Sequence, residues 1–324
     1  MSEMNDPQVT LGGRFIGLLR HQVVSITLIL LFLWLVLANL SPYFWTVNNI
    51  LEIFLQSSVT AIMAAGMSFV IFAGAIDLSV GSVFAMSAVG GGIVLQKTGN
   101  PYYAVIATIA IGVLGGLFNG FCIIIFRIPA FVVTLGMMGI ARGVGFIICG
   151  GVPIYGIPPA YSWIGQGKVF EVVPVPMLIT LVVFGIFYLV LRNTRFGRFT
   201  YAIGSNLEAS RLSGIKVNRI IVLIFAICGA CAALSSVIEA ARLGTMQPAG
   251  GNGYELFAIG AVFIGGASIS GGEGYIIGSL IGALLVTTIR NGLNIIGVNA
   301  FYQYVANGLI IILAVAADQM RKRR

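Results

Sequence analysis

The chain has 324 residues, of which 58% are hydrophobic and only 9% charged, with a formal net charge of +8. Soluble domains are about a quarter charged, so this composition excludes an ordinary soluble fold and describes an integral membrane protein. One histidine and four cysteines without an acidic cluster leave no ligand set for a protein metal site and none of the paired groups that catalysis requires.

Taken in chain order, apolar runs recur at the roughly 20-residue length that carries a helix across about 30 Å of hydrocarbon. Ten spans are predicted, at 22–40, 50–73, 80–96, 102–126, 130–150, 174–192, 220–242, 255–267, 274–297 and 301–318. The fold class expected is an all-α membrane protein with about ten transmembrane helices, broken or re-entrant in places. It forms a single membrane domain over 1–324, with no soluble domain. The first run, from Val23 to Leu40, is longer than the apolar core of a signal peptide and ends in NLSPYF rather than a small-x-small site. It is expected to stay as a membrane helix.

Thirteen of the eighteen Lys and Arg residues fall in four segments that this topology places on one side: Arg14 and Arg20; Arg127; Arg192 to Arg219; and the tail Arg321 to Arg324. The opposite side holds only Lys97, Lys168 and Arg242. By the positive-inside rule the first side is cytoplasmic, and an even number of spans puts both termini there. The positive charge therefore orients the chain in a bilayer; it does not point to nucleic acid. Residues 151–173, GVPIYGIPPAYSWIGQGKVFEVV, carry the Pro, Tyr and Trp of an interfacial periplasmic loop. Residues 193–219, NTRFGRFTYAIGSNLEASRLSGIKVNR, are the one long cytoplasmic stretch.

Two polar, glycine-rich segments join an incoming span to an outgoing one and read as broken helices: GAIDLSVGS at 74–82 and GGASISGGEG at 265–274. A lone carboxylate in hydrocarbon costs at least a few kcal/mol, so Asp77 needs a partner, water or a task. The topology puts it toward the cytoplasmic end rather than in mid-bilayer. There Asp77, Ser79 and Ser82, around Gly81, are expected to cap the N–H groups exposed at the start of the third span, fixing a bend beside the pathway or the cytoplasmic surface.

Other polar groups in apolar surroundings have two readings each. Glu239 and Arg242, three residues apart, suit an ion pair on one helix face, with a pathway contact as the alternative. Glu255 follows GNGY, where a carboxylate favours a helix N-terminus, with gating second. Arg142 must face the protein interior or water, and Arg290, Asn291 and Asn294 make a polar stripe at helical spacing. Glu239, Glu255, Asn291 and Asn294 are thus the candidates for the pathway or its gate. Cys228 and Cys231 form a CxxC inside a small-residue helix, where packing explains them better than redox or metal chemistry. His21 abuts the first span as an interfacial residue. The SGGE of GGASISGGEG is like an ATPase signature loop, but no GxxxxGK[ST] accompanies it, so any ATP is bound elsewhere. EASRLSG, Glu208 to Gly214, suits a short helix stopped by Gly214 that displays Glu208 and Arg211 as a mixed-charge knob. An ordinary solvated loop helix is the alternative.

EASRLSG resembles the EAA motif of permease subunits in bacterial ATP-binding cassette importers. GAIDLSVGS, EAARLGTMQP, GYELFAI and NGLNIIGV, in that order between Asn39 and Asp318, resemble the ribose-type monosaccharide permeases of the carbohydrate uptake family. The resemblance implies a permease subunit of the bacterial inner membrane that passes a monosaccharide or similar small polyol. It implies as partners a second permease subunit, identical or related, two cytoplasmic ATPase domains that hold ATP and magnesium, and a periplasmic sugar-binding protein. The chain itself would carry no cofactor and do no covalent chemistry. By match, Glu208, Ala209 and Gly214, with Arg211 beside them, are expected to couple the ATPase to the membrane helices. The chain departs from the family pattern at Ala75, at Ser210, and at Phe257 and Gly260, where many members have an acid and an alanine. The rival reading is an ion-coupled secondary transporter of a small polar solute, with Asp77 as the titrating group.

Overall fold

The computed structural model of the chain describes residues 22–299 and scattered positions between 301 and 320. The expected span 301–318 falls largely outside the described residues, as do His21 and the basic groups at Arg14, Arg20 and 321–324. The described helices are α1 Gln22–Leu40, α2 Val47–Phe72, α3 Val80–Thr98, α4 Pro101–Phe126, α5 Ala130–Cys149, α6 Pro159–Gln166, α7 Val175–Asn193, α8 Arg195–Ser205, α9 Leu207–Leu212, α10 Val217–Leu243, α11 Tyr254–Ile264 and α12 Ile276–Ile295. A two-residue hairpin pairs β1 Lys168–Val169 with β2 Val173–Pro174, antiparallel.

Local signals set these boundaries. Asn100 caps α4, accepting from Tyr102 N at 2.9 Å, with Pro101 at the first helical position. Thr46 and Thr194 cap α2 and α8 in the same way, and left-handed glycines stop α3, α5 and α10 at Gly99, Gly150 and Gly244.

Among the described residues eight helices, α1, α2, α3, α4, α5, α7, α10 and α12, are long and apolar enough to cross a membrane. The core is built on α2, whose apolar window is 83% buried, with α10 beside it; for α1, α4, α5 and α7 the share is 28% or less. Those four therefore make the apolar outer surface. Gly112, Gly116 and Gly120 of α4, spaced by four, lie against the backbone of α10 at Gly229, Phe225 and Val222, where a Cβ on any of the three would collide. Small residues at that spacing let two membrane helices approach to backbone contact. The CxxC is part of the same close packing: a Cβ on Gly66 of α2 would lie 2.7 Å from the Cβ of Cys231.

Two expectations need correction. The span expected at 255–267 is not a full crossing. Helix α11 has 11 residues, about 16 Å at 1.5 Å per residue and about half the hydrocarbon thickness. The preceding segment covers the rest without being helical: Met246 lies against Gly92 of α3, Gly250 against Phe84 and Gly251 against Gly81. From Gly92 to Gly81 is about 16 Å of helix, the reach of five extended residues. Residues 246–251 thus form a limb running down α3 into the bundle, invisible to a search for long apolar helices.

The second correction concerns 151–173, which is more than an interfacial loop. Tyr161 of α6 is fully buried, and Gly165 abuts Ile238, Ala241 and Arg242 of α10. Ile154 and Met246 exchange two backbone hydrogen bonds of 2.9 Å. The segment closes one end of the bundle, here the α6 face, where it covers the last turn of α10. The opposite end, the α8 face, carries α8, α9 and the turn at Arg127.

Candidate functional site

The first polar centre lies at the break between α2 and α3. Asp77 Oδ1 accepts from Ser79 N at 2.8 Å and from Ser79 Oγ at 2.6 Å. Asn119 of α4 donates to Ser79 Oγ at 2.9 Å, and the Asn119 and Cys228 side chains also face the carboxyl. The capping expectation needs refinement. Ser79 is the N-cap of α3 but makes no side-chain cap bond, and Ser82 bonds through its N–H to the Ser79 carbonyl at 3.0 Å. Asp77 therefore ties down the turn before the helix rather than the helix's own first N–H groups.

The packing of α3 against α4 sets the depth. Asn119 stands seven residues before the end of α4 at Phe126, about 10 Å of helix from that end. Its bond to Ser79 places the start of α3 at the same depth. Asp77 is accordingly 1% exposed and sits well inside the bundle. The sequence alone cannot supply this depth, because it depends on the register of α3 against α4.

The second centre lies at the start of α11. Arg142 of α5 donates from Nη1 to Pro248 O at 2.9 Å and Gly250 O at 2.8 Å. Non-helical backbone at membrane depth persists only where its polar groups are satisfied by protein or water, so Arg142 holds the limb in place. Glu255, in the first turn of α11, faces the N–H groups of Gly253 and its own residue, with the Arg142 charge beyond. Its Oε2 and Gly251 O fill the space over Gly81. The starts of α3 and α11 therefore meet inside the bundle and run from there toward opposite faces, with Asp77 just before one positive helix end and Glu255 in the first turn of the other.

The other polar residues lie farther toward the α6 face. Glu239 accepts from Tyr254 at 3.0 Å and from Arg242 at 3.1 Å. Arg242 also reaches Glu52 of α2 at 3.4 Å, and Gln56 bonds Glu52 at 2.8 Å. The three residues of the α12 stripe have different surroundings. The Arg290 guanidinium lies 4.5 Å over the Phe257 ring, Asn291 bonds Asn49 of α2 at 2.8 Å, and Asn294 is exposed.

The α8 face carries the third centre. Asn206 caps α9, accepting from Ala209 N at 2.9 Å, and Gly214 stops it at φ 79°, its N–H bonded to Arg211 O at 3.0 Å. Between these stops Glu208 and Arg211 form an exposed 2.7 Å ion pair, Leu212 is 89% exposed, and Ser210 faces inward. Helix α9 is thus a short charged projection, and α8 is its seat. Phe196 and Tyr201 of α8 pack on Phe69 and Phe72 of α2, at 5.9 and 5.1 Å between ring centroids. Tyr201 also donates to Gly274 O at 3.0 Å. Burial, with Tyr275 nearby adding to it, pushes the Tyr201 phenol up to about 12, so it remains a donor at neutral pH.

At its end α8 meets both breaks, backbone against backbone. A Cβ on Gly204 would overlap Phe72 O and lie 2.5 Å from Gly272 N. One on Gly271 would lie 2.6 Å from Gly74 Cα and 3.1 Å from Gly204 Cα. Gly272 N donates to Phe72 O at 2.9 Å. Gly74, Gly204, Gly271 and Gly272 therefore clasp the seat of α9 to the segment that leads to Asp77 and to the segment that follows α11. Gly74, Gly271 and Gly272 fall in the two glycine-rich breaks, whereas Gly204 lies in the stretch 193–219, where no motif marks it.

Long apolar helices, two helices that begin inside the bundle, and a charged projection seated on both breaks define a multi-pass membrane permease. Residues 49–315 match the family described as branched-chain amino acid transport system, permease component, and the chain belongs to that family. It is 42% identical over 297 residues to the ribose import permease protein RbsC of Escherichia coli K12, covering 90% of this chain and 92% of that one. It is 40% identical over 295 residues to RbsC of Bacillus subtilis 168, covering 90% and 91%. Over 287 residues it is 38% identical to the D-allose transport system permease protein AlsC of E. coli K12, covering 88% of each. No solved structure matches the chain.

Proposed function

We propose that this chain forms the translocation pathway of an ATP-driven importer for a monosaccharide or similar small polyol. The observation that carries the reading is α9: an exposed charged helix, fixed at both ends, whose seat is clasped to both helix breaks. A stand-alone carrier has no use for such a projection, and the relatives whose names specify ribose and allose favour the same reading.

In this account the α8 face is cytoplasmic, since Arg127 and the basic residues from Arg192 to Arg219 lie there against Lys97, Lys168 and Arg242 opposite. Both termini are cytoplasmic, in a bacterial inner membrane. Two ATPase domains, which hold ATP and magnesium, engage α9 of this chain and of a second permease subunit. A periplasmic sugar-binding protein delivers substrate to the α6 face. Closure of the ATPase pair displaces α9 and α8 as one body, and the clasp passes that displacement to residues 72–79 and 265–274. Because α3 and α11 begin inside the bundle, shifting these segments re-aims two helix ends and opens one side of the pathway while closing the other.

The test is charge reversal at Glu208, which is solvent-exposed and remote from the core. Glu208→Arg should leave thermal unfolding of the purified chain unchanged and abolish co-purification with the ATPase and ATP-driven uptake. Normal uptake by this variant would remove Glu208 from the coupling surface.

A further inference from the structure

On the α6 side, α3, α10 and the limb enclose a half-open cavity of about 130 Å³. The limb supplies one wall with Gln247, and Thr245 just before it adds to that wall; α3 supplies Phe84, α10 supplies Ser236 and Glu239, and Tyr254 lies at the start of α11.

Its chemistry is specific. Glu239 is held by one bond to each oxygen, from Tyr254 at 3.0 Å and Arg242 at 3.1 Å. A carboxylate offers about four lone-pair sites, so acceptor capacity remains. The Gln247 amide, on an exposed residue, offers both donors and an acceptor. The Phe84 and Tyr254 rings, 5.5 Å apart and inclined at 65°, add apolar surface. A fixed acceptor, an amide and aromatic rings around one small cavity suit a neutral polyhydroxylated ring, whose hydroxyls donate to the carboxylate and whose C–H face lies on an aromatic ring. An amino acid fits less well. Its carboxylate would need a cation, yet Arg242 is shared between Glu239 and Glu52, and Arg142 is bonded to two carbonyls.

We propose that this cavity is a monosaccharide subsite on the import pathway, with the limb as its movable wall. The inference rests on the importer reading and gives it a named site. Arg142 fixes the limb from the side of α5, so displacing that bond would move Gln247 relative to Glu239.

The experiment uses the full chain with Gln247→Cys in lipid nanodiscs, labelled with a charged water-soluble maleimide, with the wild-type chain supplying the background of its own four cysteines. Ribose, allose or arabinose at about 100 mM should slow labelling roughly tenfold for a site with Kd near 10 mM, and triethylene glycol should not. Protection should be lost when Tyr254→Phe or Glu239→Gln is added. The phenylalanine variant keeps the ring, which guards against a folding artefact at Glu239. If no sugar protects, or if protection survives both variants, the subsite is refuted. ATP-driven uptake by the wild-type chain with its ATPase is scored separately. Uptake without protection refutes the subsite alone; protection without uptake supports the subsite and refutes the importer reading alone.

Discussion

Replacing Gly204 with alanine puts one methyl group where α8 meets both breaks. The new Cβ would overlap Phe72 O and stand 2.5 Å from Gly272 N, the two atoms already joined by a 2.9 Å hydrogen bond. Overpacking by a methylene costs about 1–3 kcal/mol, and losing the bond adds about 1 kcal/mol. The total of about 2–4 kcal/mol need not unfold the bundle, because α8 can lift away from the breaks. At 1.4 kcal/mol per factor of ten, the docked arrangement becomes roughly thirty- to several hundred-fold less favoured. The assay is co-reconstitution with the ATPase, measuring sugar uptake and ATP hydrolysis in the same liposomes. Gly204→Ala should keep hydrolysing ATP while uptake per ATP falls at least tenfold. Wild-type uptake with an unchanged unfolding temperature would refute the clasp as the transmission path.

Three further outcomes follow from the same geometry. Gly185→Ala in α7, where a Cβ meets nothing within 4 Å, should stabilise the chain by about 0.5–1 kcal/mol through helix propensity and leave uptake unchanged, as a thermal-unfolding series would read. Asp77→Asn keeps an oxygen for the Ser79 N–H and hydroxyl and should fold and transport within about twofold of wild type. Asp77→Ala leaves two buried donors unmade and should lose about 2–4 kcal/mol; poor transport by the asparagine variant would show that the charge itself is used. Arg142→Met removes the donor to Pro248 and Gly250, each charged hydrogen bond being worth about 1.5–3 kcal/mol. Amide exchange across 246–253 should accelerate at least tenfold, and unchanged protection there would mean that Arg142 does not hold the limb.

The long spans were legible because a bilayer demands long apolar runs, and because caps such as Asn100-Pro101 and Thr194 are local in sequence. The α9 knob was legible for the same reason: Asn206 and Gly214 bracket it within nine residues. What sequence reading missed depends on partners far away in the chain. Residues 255–267 looked like a span because the limb's backbone is satisfied by Arg142, 106 and 108 residues distant from its two acceptors. The depth of Asp77 is set by Asn119, whose bond to Ser79 spans 40 residues. The glycines show the limit most plainly. Gly139 and Gly143 of α5 have open space around them, whereas Gly204 has none, and composition treats all three alike.

If ATP hydrolysis in a partner, delivered through α9, drives the passage of a sugar through this chain, uptake into liposomes holding the purified chain alone, or together with its ATPase subunits and a sugar-loaded binding protein, reads it directly. The chain alone should accumulate no sugar under a proton or sodium gradient, and the complete assembly should accumulate it only with ATP. Ion-driven accumulation by the chain alone would contradict ATP-driven import.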